Sequence, residues 1–120
     1  RCVTSRGSAL CSDMDQITPV QLKAWLDDPA RPAPVLLDVR EPWEFDVCRL
    51  AGARLIPMRT IPARHAELDR DADIVAICHH GARSFQVAMF LQQQGFARVH
   101  NLAGGVAAWA RDVDPAMPTY

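Results

Sequence analysis

Two short apolar runs, Val35-Leu36-Leu37-Asp38-Val39 and Ile74-Val75-Ala76-Ile77, constrain this chain more than anything else in it. Each is apolar at consecutive positions, the pattern of a strand buried on both faces, and each gives way to a polar loop and a helix-like stretch. Such strands occur where helices cover both sides of a parallel sheet. The rest of the chain repeats the alternation. Asp15-Gln16-Ile17 reads as a short strand, and Thr18 caps a helix begun by Pro19, with Val20, Leu22, Trp25 and Leu26 as its apolar side and Asp27-Asp28-Pro29 as its end. Glu41-Pro42-Trp43-Glu44-Phe45 opens a short helix, residues 52–57 read as a third strand, and residues 61–68 as a polar helix or turn. Residues 73–77 are the fourth and most central strand, residues 85–94 a helix stopped at Gly95, and residues 98–102 the fifth strand; Gly104-Gly105 leads into a last helix through Trp109. The tail from 112 to 120, with its two prolines, is expected along the surface.

A chain of 120 residues has the length of one domain. Residues 1–13 carry no initiator methionine and neither helical nor strand periodicity, so they read as a disordered leader or an extension ahead of a native start at Met14. Residues 14–120 are then a single domain. A net charge of −1, with 13 basic and 14 acidic residues interspersed, gives no electrostatic footprint for nucleic acid or an anionic membrane. No apolar run approaches the roughly 20 residues that span a bilayer. The 4 cysteines, Cys2, Cys11, Cys48 and Cys78, are widely spaced and make neither a C-x-x-C nor a zinc-finger pattern. Reduced thiols in a cytoplasmic protein are the expectation, with no metal site.

The chemistry concentrates in Cys78-His79-His80-Gly81-Ala82-Arg83-Ser84. A cysteine where a buried strand ends and a helix begins faces unpaired backbone N–H groups and the positive end of the helix dipole, both of which favour negative charge on sulfur. Gly81 permits a tight turn whose successive N–H groups point inward. Arg83 adds positive potential, or fixes the loop through a carboxylate, or is a surface arginine; Ser84 reads as a helix cap. His79 and His80 either attract an anion and move a proton or only line the rim. Asp38, at the end of an apolar strand, needs partners such as Arg40 or loop amides and supports the edge of the pocket. Arg40 and Arg49 either draw in an anionic donor or are solvated charges. Trp43, Phe45 and Trp109 are assigned to packing, and Cys48 to a small buried hydrophobe, with a resolving thiol as the alternative.

With these residues in hand, the chain resembles a single-domain rhodanese, a sulfurtransferase, from Asp15 to Trp109. The resemblance is carried by Leu37-Asp38-Val39-Arg40-Glu41-Pro42-Trp43-Glu44-Phe45, by Leu50-Ala51-Gly52-Ala53 with Ile56-Pro57, by Cys78-x-x-Gly81-x-Arg83-Ser84, and by Gly95-Phe96 with Asn101-Leu102-Ala103-Gly104-Gly105-Val106 and Ala108-Trp109. It implies an α/β, rhodanese-like three-layer domain with a five-stranded, mainly parallel sheet flanked by helices. It implies that Cys78 is a nucleophile alternating between thiol and persulfide, with the amides of His79, His80, Gly81, Ala82, Arg83 and Ser84 around the transferred sulfur. The implied activity is that of a thiosulfate sulfurtransferase, moving sulfane sulfur from a donor such as thiosulfate to a thiophilic acceptor such as cyanide or a thiol. The partners are these small molecules or a protein sulfur donor or acceptor, and the covalent persulfide leaves no need for a cofactor. Two positions depart from the pattern: Cys48-Arg49 stands where many members have Gly-His, and Glu44 near where some two-domain members supply an arginine.

Three rivals differ from this expectation. A cysteine-class phosphatase or arsenate reductase uses the same parts but, by resemblance, one residue more between Cys and Arg than the 4 present here, His79 to Ala82. A smaller cradle suits one sulfur atom better than a tetrahedral oxyanion. An inactive interaction module typically lacks the cysteine. A persulfide carrier in a protein relay keeps the chemistry and changes only the partner.

Overall fold

A computed structural model describes residues 14–120. The leader reading of residues 1–13, with Cys2 and Cys11, lies outside the described residues. The elements are β1 (Asp15–Ile17), α1 (Pro19–Asp27), β2 (Val35–Asp38), α2 (Pro42–Val47), β3 (Arg54–Leu55), α3 (Ile61–Arg64), β4 (Ile74–Ile77), α4 (Ala82–Gln93), β5 (Val99–Leu102) and α5 (Gly105–Asp112). The strands form one 5-stranded sheet in the order β1-β5-β4-β2-β3, and every pairing is parallel. β4 is the middle strand and is buried along its whole length, as its uninterrupted apolar sequence requires.

Alternation along the strands divides the core into two layers. Leu37, Ile74 and Ala76 pack with Ile61, Val87, Ala88 and Leu91 of α3 and α4, while Leu36, Val75 and Ile77 pack with Leu22, Trp25, Val106 and Trp109 of α1 and α5. Helices therefore cover both faces, and Cys78 continues the layer under α4. Thr18 caps α1 as expected: its hydroxyl accepts the Gln21 N–H at 3.1 Å and its own N–H reaches Gln21 Oε1 at 2.9 Å. Val20, placed by sequence on the apolar side of α1, is exposed, because the buried stripe runs through Pro19, Leu22 and Trp25. The third strand shrinks to Arg54–Leu55, and residues 61–68 divide into α3 and a 3-10 turn, His65–Glu67. Among the described residues, no helix is long and apolar enough to cross a membrane.

Register places the site. Asp38 is level with Ile77 across the β2–β4 pair, so the residues that follow each strand leave the sheet at the same edge.

Candidate active site

Gly81 turns the chain from β4 into α4. Its φ of +103° is left-handed, a conformation that residues with a Cβ rarely adopt, and it serves as the N-cap. The helix therefore begins at Ala82, three residues earlier than periodicity suggested. This draws Arg83 and Ser84 into the first turn and corrects Ser84 from cap to helical residue.

Cys78 is buried, and its Sγ accepts the Gly81 N–H at 3.0 Å. The Ser84 hydroxyl, also buried, lies 3.3 Å from Cys78 Sγ, 3.3 Å from Gly81 O and 2.5 Å from Asn101 Oδ1. It carries one proton for three acceptors. Asn101 is oriented by its own amide, which donates to Gln16 Oε1 at 3.0 Å and Gly81 O at 3.2 Å, and so ties the loop to β5 and β1. Within the described hydrogen bonds the sulfur thus has one amide donor, with the Ser84 hydroxyl in reach but its proton shared with the closer Asn101 Oδ1, fewer donors than a full ring of amides would supply.

The loop is held from its outer side by α5. Val106 N–H donates to Cys78 O at 2.9 Å and Ala107 N–H to His79 O at 3.0 Å. With two consecutive carbonyls drawn toward α5, the loop can turn its amides the other way. Such close approach needs Gly105 (φ +61°): a Cβ there would fall on the backbone oxygens of Cys78 and His79, well inside van der Waals contact. The Gly104-Gly105 pair in the sequence was the available signal of this approach.

The charged residues are paired with one another. Asp38 and Arg40 are both fully buried; Arg40 Nε and Nη2 reach the Asp38 carboxylate at 2.9 and 2.6 Å. The same guanidinium donates to Glu44 O at 3.2 Å, Cys48 O at 2.6 Å and Tyr120 Oη at 2.9 Å. Burial opposes its charge, but the bonds to Asp38 and Tyr120 outweigh burial and hold it above the ordinary arginine value. Arg40 is therefore neither a solvated charge nor a lure for an anion; it braces the α2 turn, because six acceptor atoms, with Cys48 Sγ at 3.8 Å among them, converge on it. Arg49 is exposed and stacks over Phe45, 4.6 Å from the ring.

Arg83 grips Glu44 through two parallel hydrogen bonds of 2.8 and 2.9 Å. Glu44 also accepts the Tyr120 hydroxyl at 3.0 Å and its neighbour Glu41's N–H at 2.8 Å. Arg83's bonds, working against burial, hold the Glu44 carboxyl down to about 2 from an ordinary 4.5. Because the folded pKa is depressed, this stabilisation is complete above pH 4.5 and is lost as pH falls toward 2. Glu44→Gln is therefore expected to lower stability at neutral pH by about 2 kcal/mol. The gap between the two proteins in urea titrations should close by the acid end of that window; a gap independent of pH would remove the pairing as its cause.

Glu44 faces inward on α2, which turns Trp43 out, so the assignment of Trp43 to packing is corrected: it is 59% exposed and meets the Tyr120 ring edge-on at 5.4 Å. Phe45 is half-buried and Trp109 buried. The tail runs over the surface as expected, with residues 118–120 exposed, and it is pinned there at two points. Met117 packs against the core beside Trp109, and the chain then folds back so that Tyr120 stacks on His79 at 4.1 Å, which in turn stacks on His80 at 4.0 Å. Burial first, then the neighbouring His80 charge, push His79 below the usual histidine range. Burial also pushes the Tyr120 phenol up to about 12. Glu44, Asn101, Gly105 and Tyr120 were given no role at the sulfur by sequence reasoning.

Comparison with known proteins follows this geometry. The family model described as "Rhodanese-like domain" matches residues 18–112. The chain is 36% identical to the rhodanese-like/PpiC domain-containing protein 12, chloroplastic, of Arabidopsis thaliana, over 100% of this chain but only 44% of that protein's length. It is 35% identical to the thiosulfate sulfurtransferase GlpE of Pseudomonas aeruginosa, covering 84% of this chain and 87% of that one. A crystal structure of a rhodanese-like domain protein from Staphylococcus aureus superposes with a TM-score of 0.74 at 31% identity, covering 80% of this chain and 91% of that chain.

Proposed function

The chain belongs to the rhodanese-like sulfurtransferase family, and from that premise we propose that it carries sulfane sulfur on Cys78 as a covalent persulfide. In the loading step the Cys78 thiolate attacks the outer sulfur of a donor such as thiosulfate. The donor S–S bond breaks, its electron pair leaves with sulfite, and Cys78 keeps the sulfur as a persulfide anion. In the unloading step a thiophilic acceptor, cyanide or a thiolate, attacks the terminal sulfur, and the Cys78 thiolate leaves with the bonding pair. Charge and sulfur balance in both steps, so no outside oxidant or reductant is needed.

The observation that carries this reading is a buried sulfur at the N-terminus of α4 that accepts the Gly81 N–H at 3.0 Å and has the Ser84 hydroxyl 3.3 Å away, able to turn its proton to the sulfur when charge develops there. These groups stabilise sulfur anions in both half-reactions with no shift of heavy atoms. His79 and His80 line the rim. Arg83 acts through Glu44, locking the first turn of α4 to α2. The same pairing speaks against a phosphatase, whose arginine must face the oxyanion; here both terminal nitrogens of Arg83 are engaged by Glu44.

The test is intact-mass measurement after separate exposure to thiosulfate, mercaptopyruvate and a cysteine persulfide, followed by peptide mapping. At least one donor is expected to add a single sulfur to the Cys78 peptide, and the fastest one identifies the donor class. No added sulfur from any donor would overturn the reading.

A further inference from the structure

Asn101 is a buried amide on β5 that reaches both residues placed on the sulfur. Its Nδ2 donates to Gly81 O at 3.2 Å and to Oε1 of Gln16, its register partner on β1, at 3.0 Å. A backbone carbonyl can only accept, so the contact with Gly81 O fixes which way the amide faces: its NH2 toward the loop, its oxygen toward Ser84. Asn101 Oδ1 lies 2.5 Å from Ser84 Oγ, closer than Cys78 Sγ and Gly81 O, each 3.3 Å away.

Neither Asn101 Oδ1 nor Gly81 O has a proton to offer, and the Ser84 hydroxyl has one. At these distances it donates to Asn101, while its oxygen stays open toward Sγ and can accept from a neutral thiol. An anionic sulfur reverses the preference, because a hydrogen bond to an ionised acceptor is about twice as strong as one to a neutral amide. The reversal leaves a buried Asn101 oxygen without a donor, which opposes it. Two acceptors thus compete for one proton, and the charge on Sγ decides between them.

We propose that Asn101 is a positioning residue that holds the Ser84 hydroxyl in reserve and releases it to Cys78 only while Sγ carries charge. The proposal deepens the persulfide reading and rests on it for the reaction cycle. Sγ is charged as the attacking thiolate and again as the leaving group. Between these states, as the inner sulfur of the persulfide, it is neutral and the charge sits on the terminal sulfur. During unloading the bond between the two sulfurs breaks, its electron pair goes to Sγ, and the Ser84 hydroxyl turns from Asn101 to meet it. The Ser84 O–H bond stays intact throughout, so no proton is gained or lost.

The charged groups that face the loop are the same whichever way the hydroxyl points. They are Arg83 of α4 with its partner Glu44 of α2, His79 and His80 of the loop itself, and Arg40 with its partner Asp38 at the end of β2. β5 and β1 meet this cluster through the neutral Asn101 and Gln16, and α5 meets the loop through Val106 and Ala107.

The test is the pH profile of Cys78 alkylation by iodoacetamide, followed by mass on the Cys78 peptide of the full chain, for Ser84→Ala, Asn101→Ala and the double variant. Ser84→Ala is expected to move the midpoint up by about one pH unit, the scale of one hydrogen bond to a charged group. Asn101→Ala removes the rival acceptor and should move it down by about half a unit. In the Ser84→Ala background the same change should move nothing. Asn101→Val, a residue suited to a strand, carries the same expectations if the alanine variant does not fold. An equal shift in both backgrounds, or an upward shift with Ser84 present, would overturn the proposal, since an amide that only braces Gly81 acts without Ser84. Alkylation needs no sulfur transfer, so a chain that loads no sulfur from any donor would sink the persulfide reading and leave this cycle to decide the role of Asn101.

Discussion

Cys78→Ser is expected to reduce sulfur transfer from any donor to the uncatalysed background while leaving the fold intact. A serine hydroxyl is not ionised near neutral pH and forms no persulfide, so both half-reactions lose their covalent carrier. The fold survives because the site is already polar where it touches this side chain. Gly81 N–H and the Ser84 hydroxyl, which lie 3.0 and 3.3 Å from Sγ, can donate to an oxygen as they can to sulfur. A buried hydroxyl with partners costs little, about 1 kcal/mol or less. Two measurements check the expectation: thiosulfate-to-cyanide turnover, which should vanish, and the thermal unfolding midpoint, which should stay close to wild type. Turnover persisting in this variant would move the chemistry to another thiol, with Cys48, which lines a cavity with His79 and His80, the first place to look.

The second large effect is expected far from any reacting atom. Gly105→Ala adds a single methyl, yet that methyl would sit on the carbonyl oxygens of Cys78 and His79, at a residue whose φ of +61° already disfavours a side chain. Backbone oxygens cannot rotate aside as a long side chain would, so either α5 withdraws or the loop moves. In both cases the bonds from Val106 N–H to Cys78 O and from Ala107 N–H to His79 O are broken or bent. Left-handed strain and two lost hydrogen bonds together amount to about 2–4 kcal/mol of stability. Displacement of the loop by an ångström adds a loss of about a hundredfold in turnover. Far-ultraviolet circular dichroism should show a folded protein at low temperature, so the activity loss is read on folded molecules. Turnover within twofold of wild type would show that the grip of α5 does not shape the loop.

The contrast between these variants shows which parts of the site were legible in the chain. Strand β4, the turn at Gly81 and the start of α4 lie within a dozen residues of one another, and consecutive apolar residues followed by a glycine and an amphipathic stretch record them locally. The parallel order was legible for the same reason, since strands buried on both faces require helices as their connections. The charges were not. Whether Arg40 faces water or a carboxylate depends on Asp38, Glu44, Cys48 and Tyr120 meeting around it, and the last of these is 80 residues away in sequence. Nothing near Glu44 in the chain announces its partner, because Arg83 lies 39 residues on, and the same pairing turns Trp43 outward.

Hydrophobic periodicity and the Cys78 motif thus determined, from the sequence alone, the sheet, its order of layers and the edge on which chemistry occurs, because these follow from interactions between neighbours in the chain. Only the tertiary structure decided which donors reach the sulfur, how the arginines are neutralised and that the tail returns to place Tyr120 against His79, Arg40 and Glu44. Those outcomes are set by the pairing of buried polar groups, and a buried polar group takes whichever partner the fold brings within hydrogen-bond reach, at any distance along the sequence.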